Sequence, residues 1–439
     1  MFWGYGGDFE RPDDHNDGNF LINGLLNPDR TPKPAMWTCK YVFQPIEFTL
    51  GDDFTLSIKN RKFHTGTSSY NFRWELVEDG KVIQKGGIAV SEINAGEKAD
   101  VQVPVKDFRK KAGKTYMLNV YAEEKDVQLY AQAGHISSKE QFILVNDAPA
   151  ATEKSDKVRI TDQGDAFLVQ AGQSKIIINK ADGYITGFTS KGAELILSAL
   201  KPHFWRAQTD NDRRGWRTDN KIIYWKDVEA RYTSTSVQKK DNSTVAVCKK
   251  VGDDVSVNLE YSFYNDGSAK VAFVMRKTDS VPEPLRVGMQ TQIPAAMSAV
   301  TYFGNGEFEN YPDRNAGAFL GVYSLNADDM RFNYVMPQET GNRTGVRWLT
   351  ASRSDASGVK FISDENYLNM SVWPFSEAAL EQAKHINELP HEGLLTINID
   401  HRIAGVGGID SWSSKAAPIK EYRLLDNEYG YSFRIVPVH

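Results

Sequence analysis

This sequence is short of the features by which many protein classes can be told. Only two cysteines, Cys39 and Cys248, occur in 439 residues. A disulfide framework is therefore excluded as the basis of the fold, and two reduced thiols are expected. No uninterrupted apolar run approaches the ~20 residues that a membrane span needs, so no membrane partner is expected. Acids and bases are well mixed, with a net charge of −5. There is no basic stripe, which argues against a nucleic-acid partner. Histidine is sparse: His64, His135, His203 and His401 stand far apart, with no HxH or HExxH spacing to suggest zinc. No G-x-S-x-G elbow occurs. Helical periodicity is nearly absent, and there is no fixed-period repeat or low-complexity tract.

What the chain does have is aromatic residues: nine Trp, nineteen Tyr and twenty-two Phe. Such a supply suits β-structure and sugar-facing surfaces. The length suggests two to three domains at roughly 150 residues each. Residues 1–35 are loop-like, rich in Gly, Asp, Asn and Pro. Over 36–146, short strands and turns succeed one another. Phe72, Trp74 and Leu76 alternate, EDGK at 78–81 is a hairpin turn, and TYMLNVYAEE at 115–124 is a further strand. That is the size and texture of an immunoglobulin-like sandwich. DAPAATEKSDK at 147–157 reads as a linker.

From 158 to 439 the pattern is again β. KIIINKADGYITGF is strand, turn, strand, and Val255, Val257, Leu259, Tyr261 and Phe263 alternate before the turn NDGS. Only SEAALEQAKHINEL at 376–389 reads as a helix, with Ser376 as N-cap and Pro390 as stop. A unit of this length with many strands and one helix is a large antiparallel sandwich. The expected fold is all-β.

Few motifs carry chemistry by themselves. The cluster Asp13, Asp14, His15, Asn16, Asp17, Gly18 invites a calcium-loop reading. It fails, because His15 holds the third position and Gly24 the twelfth, where a bidentate Glu belongs. AGVGGIDSW at 404–412 lacks the βαβ context of a dinucleotide fingerprint. Its glycines mark a sharp turn or a close approach. By residue type alone, Trp412 reads more as a core plug than as a surface platform. A pair of catalytic carboxylates is defined by separation in space, which spacing in sequence does not show.

Seven stretches occur in a telling order: WGYGGDF (3–9), FLINGLLNPDRTPKPA (20–35), AGHIS (133–137), RAQTDND (206–212), GNGEFENYPDR (304–314), YVMPQETGNRTGVRW (334–348) and GVGGIDSW (405–412). Together the series resembles the C-terminal part of the bacterial β-galactosidases of glycoside hydrolase family 2. The resemblance implies that 1–35 correspond to the end of a catalytic TIM barrel and that 36–146 form the second immunoglobulin-like domain. It implies that 158–439 form a C-terminal supersandwich like galactose mutarotase. The chain looks cut just before a barrel strand.

In that family two glutamates of the barrel perform a retaining double displacement, so the resemblance assigns no catalytic residue to this chain. It assigns Trp3 and Trp412 to substrate binding, which reverses the plug reading of Trp412. Phe20 and Asn23 match two sodium ligands, a backbone carbonyl and an amide oxygen. Gly306, Glu309, Asn310, Tyr311, Asp313 and Arg314 match a mobile active-site loop. Magnesium and sodium belong to the intact enzyme, and neither is expected to bind this chain well alone. Partners implied are the sugar-binding, immunoglobulin-like and barrel domains of the same enzyme, a galactoside such as lactose, and further copies in a homo-oligomer. The compartment is left open between cytoplasm and periplasm.

Three departures stand out. Gly18 replaces a frequent arginine, Gln208 a proline and Ile409 an acid. A free-standing carbohydrate-binding or mutarotase-like protein is the alternative. Alone, the chain is expected to lack β-galactosidase activity and to expose Trp412. Its two sandwiches are expected to fold while residues 1–35 are weakly held.

Overall fold

A computed structural model of the chain describes residues 2–11, 13–147, 154–364 and 367–439. Most of the linker expected at 147–157 lies outside the described residues. The chain divides into two compact units. One comprises 34–152 with 316–322, the other 1–33, 153–315 and 323–439.

The smaller unit opens with a helix, Pro34–Val42, which the sequence reading did not foresee. Proline in the first helical position costs nothing, since the N–H it lacks would be unpaired there. Seven strands follow in two antiparallel sheets. One has the order 46–50, 55–60, 98–102, the other 81–88, 70–78, 115–124, 136–146. The alternation of Phe72, Trp74 and Leu76 turns these side chains onto the same core as Ile46, Phe48, Leu56 and Ile58 of the facing sheet. Each such fully buried aliphatic side chain contributes about 1.5–3 kcal/mol. The EDGK hairpin closes with Asp79 at φ 48° and Gly80 at φ 83°, the left-handed pair that a two-residue hairpin loop requires. This is the immunoglobulin-like sandwich expected.

The larger unit is also a sandwich of antiparallel sheets. A five-stranded sheet runs 193–196, 185–190, 174–179, 166–171, 159–162. A second has the order 201–203, 286–294, 394–403, 368–373, 343–346. A third, larger sheet includes, in order, 234–239, 244–251, 255–263, 269–277, 428–438, 358–363, 348–352 and 299–306. One continuous apolar core joins all three, with Phe188, Tyr261, Phe273, Ile397 and Phe433 within it. The helix expected at 376–389 is shorter than predicted. It spans Glu377–Gln382, capped by the Ser376 hydroxyl, which accepts the N–H of Ala379. A separate turn follows at Ile386–Glu388.

Residues 1–33 belong to this larger unit. Polar contacts fasten them. The Asn19 amide donates to Asp210 at 2.6 Å, and the Tyr5 hydroxyl donates to the Lys384 carbonyl at 2.9 Å. Their apolar groups are less well covered. Phe20 and Leu25 each keep about 40% exposure.

Candidate functional site

RAQTDND supplies the foundation of the site. Arg206 is fully buried and forms a two-pronged ion pair with Asp212, Nε and Nη2 each 2.9 Å from a carboxylate oxygen. Its remaining donors reach the carbonyls of Ala404 at 2.7 Å and Gly405 at 2.9 Å. Burial opposes the guanidinium charge, but Asp212 outweighs it, so Arg206 holds its proton more firmly than a free arginine. Asn211 adds two bonds, from its amide to the carbonyls of Asp410 and Ala416. Two side chains of one motif therefore set both ends of the 404–416 loop. Gln208 donates to the Thr218 hydroxyl at 2.7 Å.

The loop needs its glycines for close approach. A Cβ on Gly405 would lie 2.7 Å from the Asp313 carboxyl carbon, and one on Gly408 would lie 2.4 Å from the Ala416 carbonyl oxygen. Asp313 accepts the N–H groups of Val406 and Gly407 at 2.8 and 2.7 Å. Asp410 shapes the tip: it accepts the N–H groups of Trp412 and Ser413 and the Ser413 hydroxyl. These bonds hold its carboxyl below the usual carboxylate range. Ile409 is 74% exposed, and its N–H donates to the Lys415 carbonyl. Asp410 thus supplies the side-chain acceptor at this tip.

Trp412 is presented rather than buried, at 68% exposure. Its indole meets the Phe20 ring edge-on, with centroids 6.4 Å apart. Arg214 stands over the other side of this corner, its guanidinium 5.6 Å from the Phe20 ring centre. Its Nη2 also donates to Asn19 at 2.5 Å. Gly18 lies beside it at φ 57°, the left-handed region that favours glycine. Trp3 is half-buried, and among the described residues no ring contact joins it to Trp412 or Phe20.

Segment 306–315, expected as an active-site loop, is bonded at several side chains in this structure. Asn310 is fully buried and bonds the carbonyls of Asn305 and Phe308, the Thr344 hydroxyl and the Thr344 N–H. Glu309 accepts from Arg314, from the Tyr334 and Thr340 hydroxyls and from the Gly341 N–H. Tyr311 is buried and donates to Glu339 at 3.2 Å. Four groups on one buried carboxylate make the segment a brace for Asp313.

Beneath it lies a buried charged cluster that sequence reasoning missed. Arg286 pairs with Glu339 at 3.0 Å and with Asp400 at 3.1 Å, all three without solvent access. Burial pushes Glu339 up to about 7, against the pull of Arg286. These residues come from separate strands and loops, and no sequence spacing betrays them.

Two oxygens assigned to sodium, the Phe20 carbonyl and the Asn23 amide, have no hydrogen-bond partner among the described residues. As neutral oxygen donors they fit a hard cation in kind. The Lys33 ammonium rests on the neighbouring Ile22 carbonyl, a competing positive charge. Among the described residues no three His, Cys, Asp or Glu side chains gather as a metal site.

Comparison with known proteins bears on this geometry. Residues 170–435 match the family "Beta galactosidase small chain", 56–145 match "Beta-galactosidase, domain 4", and 1–48 match "Glycosyl hydrolases family 2, TIM barrel domain". The chain is similar to a β-galactosidase of Photobacterium profundum, 32% identical over 464 residues, covering 100% of this chain and 44% of the relative. A β-galactosidase of Priestia megaterium is 29% identical over 444 residues, covering 99% of this chain and 42% of the relative. The chain thus spans less than half the length of the curated relatives it matches. Among solved structures, a galactose 1-epimerase from Lactobacillus acidophilus superposes with a TM-score of 0.37 at 8% identity, over 66% of this chain and 100% of that one.

Proposed function

This chain belongs to the β-galactosidase family, and on that premise we propose that it works as the acceptor-side portion of a retaining β-galactosidase acting on terminal β-D-galactosides such as lactose. The observation that carries the reading is the exposed indole of Trp412 on a loop anchored by Arg206, Asn211 and Asp313. An aromatic face held rigid and open to solvent suits the C–H face of a sugar. The two glutamates of the double displacement come from a barrel outside this sequence.

In this reading Trp412 forms the wall on which the second sugar rests, and Trp3 belongs to the floor of the galactose pocket. Phe20 backs the indole edge-on. Segment 306–315 is the active-site loop that meets the Trp412 loop through Asp313. The Phe20 carbonyl and Asn23 amide would supply two ligands of a sodium ion, whose chemistry there is charge and positioning, while magnesium would belong to the barrel. Partners are the sugar-binding, immunoglobulin-like and barrel domains of the same enzyme, and further copies of it. A free-standing carbohydrate-binding or mutarotase-like role is not favoured, because the relatives named above are β-galactosidases.

The test has two arms. Pure chain with a nitrophenyl galactoside should give only background hydrolysis, because the covalent step lacks its nucleophile. Clear turnover abolished by one Asp or Glu substitution in this chain would overturn the reading. In the enzyme assembled with its barrel, Trp412→Ala should raise KM roughly fivefold, the worth of about 1 kcal/mol of stacking, and change the ratio of hydrolysis to transfer. Unchanged KM and product ratio with a lowered Tm would make Trp412 structural.

A further inference from the structure

The N-terminal segment and the turn that ends the short helix meet through one imidazole. The His385 ring stacks on Tyr5 with centroids 4.7 Å apart and planes at 16°, and Phe2 meets it edge-on at 4.7 Å. Nε2 lies 2.9 Å from Asp8 Oδ2, and Nδ1 lies 3.1 Å from Glu388 Oε1. An ionised carboxylate only accepts hydrogen bonds, and a neutral imidazole carries one N–H. Both contacts can be made together only by the doubly protonated ring.

We propose that His385 is a positioning residue. As an imidazolium it latches the segment bearing Trp3 and Tyr5 onto the supersandwich, and it releases one side of that segment's anchorage when it gives up its proton.

The groups around the ring are few and mostly of one sign. From the N-terminal segment come Asp8, which also accepts the Tyr5 N–H at 2.7 Å, and Tyr5 itself. From the turn come Glu388, which also accepts the Lys384 N–H at 2.8 Å, and the Lys384 carbonyl that receives the Tyr5 hydroxyl. From the 206–214 stretch, Arg213 and Asp210 act on Tyr5 with opposite sign. Two carboxylates therefore face one ring. Burial opposes the imidazolium, but Asp8 and Glu388 outweigh it, so His385 keeps its proton above its ordinary value of 6.5. A raised histidine contributes its full stabilisation below the ordinary value and loses it as pH climbs through the raised one. On the acid side, Asp8 and Glu388 are both held below the usual carboxylate range and stay charged. The latch is closed below the ordinary histidine value and opens as pH climbs through the raised one.

The consequence for a reaction rests on the reading of Trp3 given above, whereas the latch itself is measured on this chain alone. Hydrogen exchange of residues 2–9, corrected for the intrinsic pH dependence of exchange, should be followed from pH 6 to 9. Protection should fall roughly fivefold over that range, the scale of an ion pair near the surface. His385→Gln should show the low value at every pH. Asp8→Asn should move the imidazole titration, followed by NMR, toward lower pH. Equal protection at pH 6 and 9 in the unsubstituted chain, or an imidazole that titrates alike with and without Asp8, overturns the latch. No galactoside enters the measurement, so a failed latch and a failed β-galactosidase reading remain distinguishable.

Discussion

One carboxylate oxygen of Asp313 accepts the backbone N–H of Gly407 at 2.7 Å, and this contact ties the 306–315 segment to the loop that presents Trp412. The same oxygen accepts the Val406 N–H at 2.8 Å, so the loop backbone is held at two successive residues. Asp313→Ala should release both donors. Bonds to a charged acceptor are worth about 1.5–3 kcal/mol each, and water recovers part of that at a partly open site. The variant should lose about 1–2 kcal/mol in urea unfolding. In the assembled enzyme it should raise KM more than it lowers kcat, because what it disturbs is the position of the indole. A variant with unchanged stability and unchanged KM would show that the loop is held by Arg206 and Asn211 alone.

Gly405→Ala asks a sharper steric question. The added methyl would meet the Asp313 carboxyl at 2.7 Å and the Tyr422 Cβ at 3.0 Å, neither a free chain end. A cost of about 1–3 kcal/mol is expected from the forced backbone shift. Gly24→Ala is the control, since nothing lies within 4 Å of the position where its methyl would go. It should fall within about 0.5 kcal/mol of the parent. Equal Tm values for the two variants would refute the crowding.

Glu339 connects the buried cluster to pH. Its folded value of about 7 stands above the ordinary 4.5, so between these limits the native state binds more protons than the unfolded one. Stability from this group therefore falls as pH rises from 4.5 toward 7. Glu339→Gln should be less stable overall, because it weakens the pairing of Arg286, yet its stability should change less with pH across that window. Parallel stability–pH curves for parent and variant would remove Glu339 as the source.

Strands were legible because one face of each is buried, and burial writes itself into alternation. TYMLNVYAEE is a strand over Thr115–Glu124, with the bounds expected. The helix at 376–389 shows where local pattern loses. Its periodicity continues past Gln382, but Ala383 adopts φ −64°, ψ 132° and His385 φ −134°, ψ 154°. Extended backbone there brings the imidazole to Tyr5 and Asp8, and those contacts override helix propensity. The helix at Pro34–Val42 was missed for the opposite reason. It carries no Ser, Thr or Asp cap, and Thr38 and Val42 are weak helix formers, so Pro34 was its only signal.

The site was legible in part. The glycines of GVGGIDSW signalled close approach, and the structure supplies the neighbours that demand it at Gly405 and Gly408. The exposure of Trp412 went against residue type, since an indole is more often covered, and it followed instead from the resemblance. The contacts of residues 1–33 were not legible in the sequence. The fastening is polar, through Asn19, Tyr5 and Asp8, and single polar residues in a loop carry no periodic mark. Arg206 with Asp212 shows the same limit: which two carbonyls an arginine binds is a matter of three dimensions.

Arg206 has a consequence on heating. It grips the Ala404 and Gly405 carbonyls from a position with no solvent access, among side chains that stay packed until the whole unit melts. Loops hung only on surface bonds fray at temperatures well below the global transition. Here the root of the loop shares the fate of the interior, so the indole keeps its bearing almost up to the point at which the supersandwich itself is lost.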